Sequence, residues 1–163
     1  EAEPVQVVAT LNSTPEGKTL HLSLPEETSP SVMPRLLVVD DDVRLARLVE
    51  TFLRRGGFDI TLAHTGGEAL LAAQAEKPDL ILLDVDLPDL SGLEVCRQVK
   101  GHPGTARIPV VFCSGRYDVL DEAMRLGAVD CLAKPPDFLH LAERLHRLLA
   151  QPMPANAKEE RHE

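Results

Sequence analysis

Between residues 35 and 150, short aliphatic segments alternate with longer amphipathic ones, and this alternation constrains the fold more than any other feature of the chain. The aliphatic segments have the length and composition of buried strands. They are LLVV at 36–39, FDITLA at 58–63, DLILL at 79–83, PVVFC at 109–113 and VDCLA at 129–133. Five strands alternating with five helices predict an α/β fold, a doubly wound parallel sheet with helices on both faces.

The segment VRLARLVETFLRR at 43–55 is the clearest predicted helix. Five apolar residues fall on one predicted face, namely Leu45, Leu48, Val49, Phe52 and Leu53. Four arginines lie on the other face, which we expect to be a solvated surface, although a partner could use it. Helix-boundary signals recur farther along the chain. They are Thr65 with Glu68, Ser91 with Glu94, Asp118 and Asp137 at predicted starts, and Gly56, Gly101 and Gly127 at predicted ends.

Polar residues follow four of the five predicted strands. Asp40 and Asp41 come after the first strand, Asp84 after the third, Ser114 after the fourth and Lys134 after the fifth. The carboxyl ends of parallel strands share one edge of the sheet, where ligands bind in α/β folds. We therefore expect these side chains to converge, while Asp42 is predicted to cap the helix or to be solvated.

Such a cluster predicts a site for a divalent cation and a phosphate. Mg²⁺ takes one or two carboxylates and completes its octahedron with water and phosphate oxygens. A lysine and a hydroxyl suit phosphate instead, and a carboxylate such as Asp84 can act as a nucleophile that forms an aspartyl phosphate. Taken singly, Asp40 or Asp41 could be a helix cap, Ser114 a loop serine and Lys134 a surface lysine. Asp84 is harder to dismiss, because a carboxylate directly after LILL is costly unless it is paired or bound.

Composition narrows the class of function. The net charge of −9 argues against direct nucleic-acid binding by this segment, which needs basic patches. No apolar stretch approaches the 18 residues of a membrane span, and nothing resembles a signal peptide, so we expect a cytoplasmic protein without membrane contact. Its three cysteines, at 96, 113 and 131, form no CxxC pair and are predicted to be reduced core thiols.

Four motifs together resemble the receiver domain of bacterial response regulators, from about Arg35 to Ala150. They are LLVVDDD, LILLDVDLPDLSGLEV, VVFCSG and GAVDCLAKP. The resemblance implies a flavodoxin-like sheet of strand order 2-1-3-4-5. It also implies a cis bond between Lys134 and Pro135, which an X–Pro bond tolerates.

The resemblance also implies specific roles at the site. Asp84 would be the phosphoacceptor, taking a phosphoryl group from a histidine kinase or a histidine phosphotransfer protein in a phosphorelay. Ser114, Gly115 and Lys134 would bind the phosphate. Mg²⁺ would be the cofactor, held by Asp41, by Asp84, by the backbone carbonyl of Asp86 and, through water, by Asp40. Such a domain is not an enzyme acting on other molecules, since it catalyses its own phosphorylation and dephosphorylation.

Three features depart from the family pattern. Cys131 stands where receivers usually carry an aromatic switch residue, for which Tyr117 is the one tyrosine that could substitute. The span from Ser114 to Lys134 is shorter than usual, which predicts a trimmed fourth helix. Asp86 and Arg116 flank the pocket, at positions expected to tune hydrolysis of the acyl phosphate, and are predicted to pair across its entrance.

The segments that flank the receiver are predicted to lie outside its fold, although the first of them could either belong to another domain or pack on the receiver. Residues 1–24 are interpreted as a β-hairpin, VQVVATL and TLHLSL around STPEGK, residues 25–34 as a linker and residues 151–163 as a disordered tail. STPEGKTLHLSLP resembles the last strands of a histidine-kinase ATP-binding domain. The parent protein would then be a hybrid kinase with this receiver at its C-terminus, whereas an independent extension is the other interpretation.

Two rival functions are compatible with parts of this pattern. A pseudo-receiver would act as a phosphorylation-independent protein-binding module, which Cys131 favours and the full set of Asp41, Asp84, Ser114 and Lys134 opposes. A haloacid-dehalogenase-like phosphatase also forms an aspartyl phosphate, and DVDLP approximates its motif. In that family the nucleophile follows the first strand, whereas here the acidic pair precedes Asp84.

Overall fold

The computed structural model describes residues 10–14, 17–21 and 33–151, in two compact units that divide between Met33 and Pro34. In the first unit, β1 (Thr10–Thr14) pairs with β2 (Gly17–His21) in antiparallel register. The pairing reaches Thr14 and Gly17, so both strands extend into the predicted turn STPEGK. Residues 5–9 and 22–24 of the predicted strands, most of the predicted linker and the tail from residue 152 lie outside the described residues.

In the second unit, residues 34–151 form five strands and five helices in strict alternation. They are β3 (Arg35–Val39), α1 (Val43–Arg55), β4 (Asp59–Ala63), α2 (Gly66–Glu76), β5 (Leu80–Leu83), α3 (Gly92–Gly101), β6 (Val110–Ser114), α4 (Leu120–Arg125), β7 (Asp130–Ala133) and α5 (Phe138–Ala150). All neighbouring strand pairs are parallel and the sheet order is β4-β3-β5-β6-β7. Counted within this unit, that is the predicted order 2-1-3-4-5, which is confirmed.

Two apolar cores lie on the two faces of this sheet, because successive strand residues point to opposite sides. Leu36 and Val38 belong to one core, which α1 and α5 cover. Leu37 and Val39 belong to the other, which α2, α3 and α4 cover. The helices are therefore distributed on both faces, as predicted.

The amphipathic face of α1 is centred slightly differently from the prediction. Ala46, Val49 and Leu53 are buried, whereas Leu48 is 44% exposed. Leu48 precedes Val49 by one residue, about 100° around the helix, and so lies at the edge of the buried stripe. The inclusion of Leu48 in the core-facing set was therefore wrong.

Four of the predicted N-caps are present and a fifth is not. Asp42, Thr65, Ser91 and Asp137 cap α1, α2, α3 and α5 through their side chains, although Glu68 and Glu94 do not complete the capping boxes. Helix α4 begins only at Leu120, after Val119, and no side chain caps it. Asp118 binds Arg116 instead, so its predicted capping role was wrong.

The three cysteines are free, as predicted, and two of them are buried. Burial raises the pKa of Cys96 to about 11 and that of Cys113 to about 12, which keeps both thiols protonated at neutral pH. Among the helices of residues 33–151, none combines the length and the apolar composition that crossing a bilayer requires.

Candidate functional site

The site begins where β3 and β5 leave the sheet side by side. The backbone N–H of Asp40 donates to the carbonyl of Ala63 at 3.0 Å, and that of Asp84 donates to the carbonyl of Val39 at 3.0 Å. These bonds continue the parallel ladder by one residue. The backbone of both acids is therefore fixed by the sheet, although each follows the last residue of its strand.

Three carboxylates meet at this edge. Asp40, Asp41 and Asp84 each offer one oxygen, and these three atoms lie within 4.8 Å of one another. Asp40 and Asp84 are buried, while Asp41 faces solvent. The convergence of these acids, predicted from the strand order, is therefore observed. Hard oxygen ligands of this kind fit Mg²⁺.

Lys134 bridges the two buried acids. Its Nζ lies 2.8 Å from Oδ2 of Asp40 and 2.9 Å from Oδ2 of Asp84. Burial by itself would lower the pKa of Lys134, but the hydrogen bonds to Asp40 and Asp84 outweigh it and raise that pKa. Burial raises the pKa of Asp84 despite the opposing bond from Lys134. One ammonium thus offsets part of the repulsion, and the negative charge is not fully balanced by protein groups.

Ser114 and Gly115 lie at the end of the neighbouring strand β6. Ser114 is buried, and its carbonyl accepts a hydrogen bond from the backbone N–H of Lys134 at 3.2 Å. Its hydroxyl oxygen accepts from the N–H of Arg116 at 3.2 Å. Gly115 is exposed, with no atom near the position of a Cβ. The strand pairing thus brings the predicted hydroxyl and lysine to adjacent strand ends, and the Lys134–Pro135 bond is cis, as expected.

An ion pair lies at the entrance. Nη1 of Arg116 donates to Oδ1 of Asp86 at 3.1 Å, while Nη2 donates to Oδ2 of Asp118 at 2.8 Å. Both hydrogen bonds raise the pKa of Arg116, and the one to Asp118 has the larger effect. The predicted pairing of Asp86 with Arg116 is therefore present, and Asp118 is a third member that the sequence analysis assigned elsewhere.

A cavity of about 160 Å³ lies beside Ser114, next to the position at which the resemblance implies an aromatic switch residue. Cys131 lines it and is half-buried, and burial together with Asp130 raises the pKa of its thiol. Tyr117 also lines the cavity but is 71% exposed. In this structure, Tyr117 therefore does not occupy the place of the missing aromatic residue.

Comparison with known proteins decides the family. The sequence model of the response regulator receiver domain matches residues 36–146, which is more than half of the chain. The chain belongs to the response regulator receiver family. Its parallel sheet of strand order 2-1-3-4-5 is therefore the fold of a receiver.

Individual relatives agree with this assignment. The alkaline phosphatase synthesis transcriptional regulatory protein PhoP of Bacillus subtilis is 40% identical over 103 residues, which are 62% of this chain and 42% of PhoP. A crystal structure of a response regulator from Chloroflexus aurantiacus superposes with a TM-score of 0.69 at 34% identity, covering 72% of this chain and 98% of that one. The receiver domain of the sensor histidine kinase PA1611 of Pseudomonas aeruginosa, described with magnesium coordinated in its active-site cleft, gives 0.65 at 27% identity with coverages of 72% and 98%. The chain spans about half the length of the curated relatives it matches.

Three residues around the receiver site were missed by the sequence analysis. Nδ1 of His64, which directly follows β4, lies 2.9 Å from the carbonyl oxygen of Asp40. Asp89 binds the backbone of Gly66 and Gly67, and Gly92 packs against the backbone of Asp84. No local pattern marks the first two contacts, because their partners are more than 20 residues away in sequence.

Proposed function

We propose that this receiver is the phosphoacceptor of a two-component phosphorelay. Asp84 takes a phosphoryl group from a phosphohistidine of a histidine kinase or of a histidine phosphotransfer protein. The observation that carries the proposal is the placement of Asp84, which is buried, contacts Lys134 at 2.9 Å and shares its site with two further carboxylates. A buried, incompletely neutralised carboxylate is suited to attack phosphorus when cations offset the charge of the phosphoryl group.

The proposed chemistry is an in-line displacement. An oxygen of Asp84 forms the new bond to phosphorus, while the bond between phosphorus and the donor's histidine nitrogen breaks and its electron pair stays with the imidazole. Lys134, Ser114 and Gly115 bind the oxygens of the transferred group. Asp41, Asp84 and the carbonyl of Asp86 would hold Mg²⁺, with Asp40 acting through water. The ion supplies positive charge against the developing negative charge of the phosphoryl oxygens.

The partner and the output are part of the proposal. A kinase or phosphotransfer partner is implied by membership of the family. PhoP is named a transcriptional regulatory protein, whereas PA1611 is named a sensor histidine kinase, so receivers similar to this one occur in both settings. The charge of −9 supports a receiver segment that does not itself contact nucleic acid. A pseudo-receiver remains the second candidate only because of Cys131.

Treatment with acetyl phosphate and Mg²⁺ tests the function directly. We expect the intact mass of the wild-type chain to increase by one phosphoryl group, and the adduct to be absent from Asp84→Asn and from wild type in excess EDTA. Asp79→Asn, which makes the same acid-to-amide change on an exposed side chain at the start of β5, should still be labelled. A wild-type protein that binds Mg²⁺ yet gains no phosphoryl group would favour the protein-binding module.

The ion pair between Arg116 and Asp86 is expected to slow loss of the phosphoryl group. The pair joins residues two positions beyond Asp84 and Ser114, and we infer that it hinders the approach of water to the acyl phosphate. We expect Arg116→Ala to speed spontaneous dephosphorylation by no more than about fivefold, because a solvent-exposed ion pair contributes little free energy. The measurement is decay of the phosphoryl adduct after removal of acetyl phosphate.

Arg97→Ala is the matched control, since Arg97 forms an exposed ion pair with Glu94 within α3. Its decay rate should equal that of wild type. A decay rate of Arg116→Ala that also equals that of wild type would show that the entrance pair does not limit access of water.

A further inference from the structure

The loop that follows Asp84 is attached to the rest of the receiver at two points. At its far end, the N–H of Gly92 donates to the carbonyl of Val85 at 2.7 Å. In its middle, the carboxylate of Asp89 binds the first turn of α2. The loop contains Asp86, whose backbone carbonyl is the proposed Mg²⁺ ligand, so both attachments act on the position of that carbonyl.

The contact of Asp89 with α2 is bidentate. Oδ1 accepts from the N–H of Gly66 at 2.7 Å and Oδ2 accepts from the N–H of Gly67 at 2.9 Å. These are the first two residues of the helix, whose N–H groups have no partner within it. The side-chain oxygen of Thr65, the N-cap, accepts from the N–H of Glu68. Asp89 therefore supplies a carboxylate where the helix dipole favours one, and these backbone bonds lower its pKa.

The helix and the loop are also in close steric contact. A Cβ on Gly66 would lie 2.8 Å from Cβ of Leu90, and one on Gly67 would lie 3.3 Å from Oδ2 of Asp89. Any larger residue at 66 would push the loop away. The two glycines thus allow the carboxylate of Asp89 to reach both N–H groups.

A second link joins α2 to the acidic cluster. His64, just before the N-cap, places its Nδ1 2.9 Å from the carbonyl oxygen of Asp40, and its own N–H donates to Glu68. Hydrogen bonds therefore join the segment that carries Asp40 to the start of α2, and the start of α2 to the loop that carries Asp86. Asp89 is the connection between the last two.

We propose that Asp89 is a positioning residue for the Mg²⁺ site, holding the loop so that the carbonyl of Asp86 points to the same place as the carboxylates of Asp41 and Asp84. The inference rests on the proposed function. Mg²⁺ demands near-ideal octahedral geometry, so a displaced carbonyl weakens binding even when every carboxylate is retained. Outer residues that orient metal ligands commonly change affinity by about 10- to 100-fold.

The test is calorimetric titration of the full chain with Mg²⁺. We expect Asp89→Ala to raise the dissociation constant for Mg²⁺ by about tenfold. The Mg²⁺ concentration that gives half-maximal labelling by acetyl phosphate should increase in parallel, while the rate at saturating Mg²⁺ stays close to that of wild type. Asp89→Asn, which keeps the size and one acceptor oxygen, should give an intermediate constant and replaces Asp89→Ala if that variant does not fold.

Asp79→Ala is the matched control. Asp79 is another exposed carboxylate that accepts a long-range backbone hydrogen bond, from the N–H of Arg35 at 2.8 Å. It directly precedes β5, at the amino ends of the strands and away from the acidic cluster. It should lose stability while its Mg²⁺ dissociation constant stays within about twofold of wild type. Equal constants for the Asp89 and Asp79 variants would overturn the inference. Wild type that binds Mg²⁺ but is never phosphorylated would instead overturn the proposed function.

Discussion

Replacing Gly92 with alanine is expected to destabilise the receiver by at least about 3 kcal/mol, the upper range for overpacking. An added Cβ would lie 1.9 Å from the carbonyl oxygen of Asp84, 2.8 Å from its carbonyl carbon and 2.9 Å from Cα of Val85. All three are backbone atoms that no rotamer change can move aside. The sheet and α3 must therefore separate, which distorts the segment that carries Asp84. Urea denaturation of the apo protein measures the effect.

Gly101→Ala provides the control, because Gly101 is the last residue of the same helix and no atom lies within 4 Å of its Cβ position. Alanine should be neutral there or should stabilise by up to about 1 kcal/mol through its higher helix propensity. If Gly92→Ala unfolds at the same urea concentration as Gly101→Ala, that result would contradict the close packing of α3 against the backbone that follows β5.

Replacing Lys134 with methionine is expected to affect both stability and phosphorylation. Asp40 and Asp84 would remain buried without their shared cation, which should cost about 2 to 3 kcal/mol because Lys134 is partly exposed. The rate of labelling by acetyl phosphate should fall by roughly a hundredfold, since the positive charge that we propose binds the phosphoryl oxygens is removed. Denaturation without Mg²⁺ and intact-mass kinetics measure the two effects.

The stability loss should depend on pH in a defined direction. The pKa of Asp84 is already raised from 3.8 in the folded protein, and loss of Lys134 raises it further. An acid whose folded pKa exceeds its unfolded pKa binds protons more tightly when the protein is folded. The free energy of unfolding therefore increases as pH falls from the folded pKa to the unfolded pKa. The deficit of Lys134→Met relative to wild type should therefore shrink as pH falls from neutral toward 4.

A double variant distinguishes the loss of charge from the loss of packing as the cause of the lower stability of Lys134→Met. Asp84→Asn combined with Lys134→Met removes one of the two buried acids and should be more stable at neutral pH than Lys134→Met alone. If the double variant is no more stable, and the deficit of Lys134→Met is the same at all pH values, then lost packing of the lysine stem explains the effect. The electrostatic account of the site would then be wrong.

Residues with a local or periodic signal were predicted well. The aliphatic segments became the five strands, and Asp42, Thr65, Ser91 and Asp137 cap helices as their position before apolar periodicity indicated. Because parallel strands end at one edge, the residue after each strand was enough to predict that Asp40, Asp41, Asp84 and Lys134 meet. The pair formed by Asp86 and Arg116 was predicted from their positions beside the pocket that the resemblance implies.

Residues with two competing partners were predicted poorly. Asp118 has the right position for an N-cap, but the guanidinium of Arg116 two residues earlier is a charged partner, and α4 begins at Leu120 without a side-chain cap. Leu48 fits a helical face by spacing, yet its burial depends on how α1 is rotated against the sheet. Sequence spacing carries no information on that rotation, because it is set by the packing of whole elements.

The amino-acid sequence by itself determined the alternation of strands and helices, the family and the residues that follow each strand. Each of these depends only on short contiguous motifs or on the periodicity of apolar residues. Only the tertiary structure decided that Lys134 bridges Asp40 and Asp84, that His64 binds the carbonyl of Asp40 and that Asp89 binds the start of α2. Such contacts join residues far apart in the chain at distances of about 3 Å, and a hydrogen bond depends on positions that only the packed sheet and helices fix.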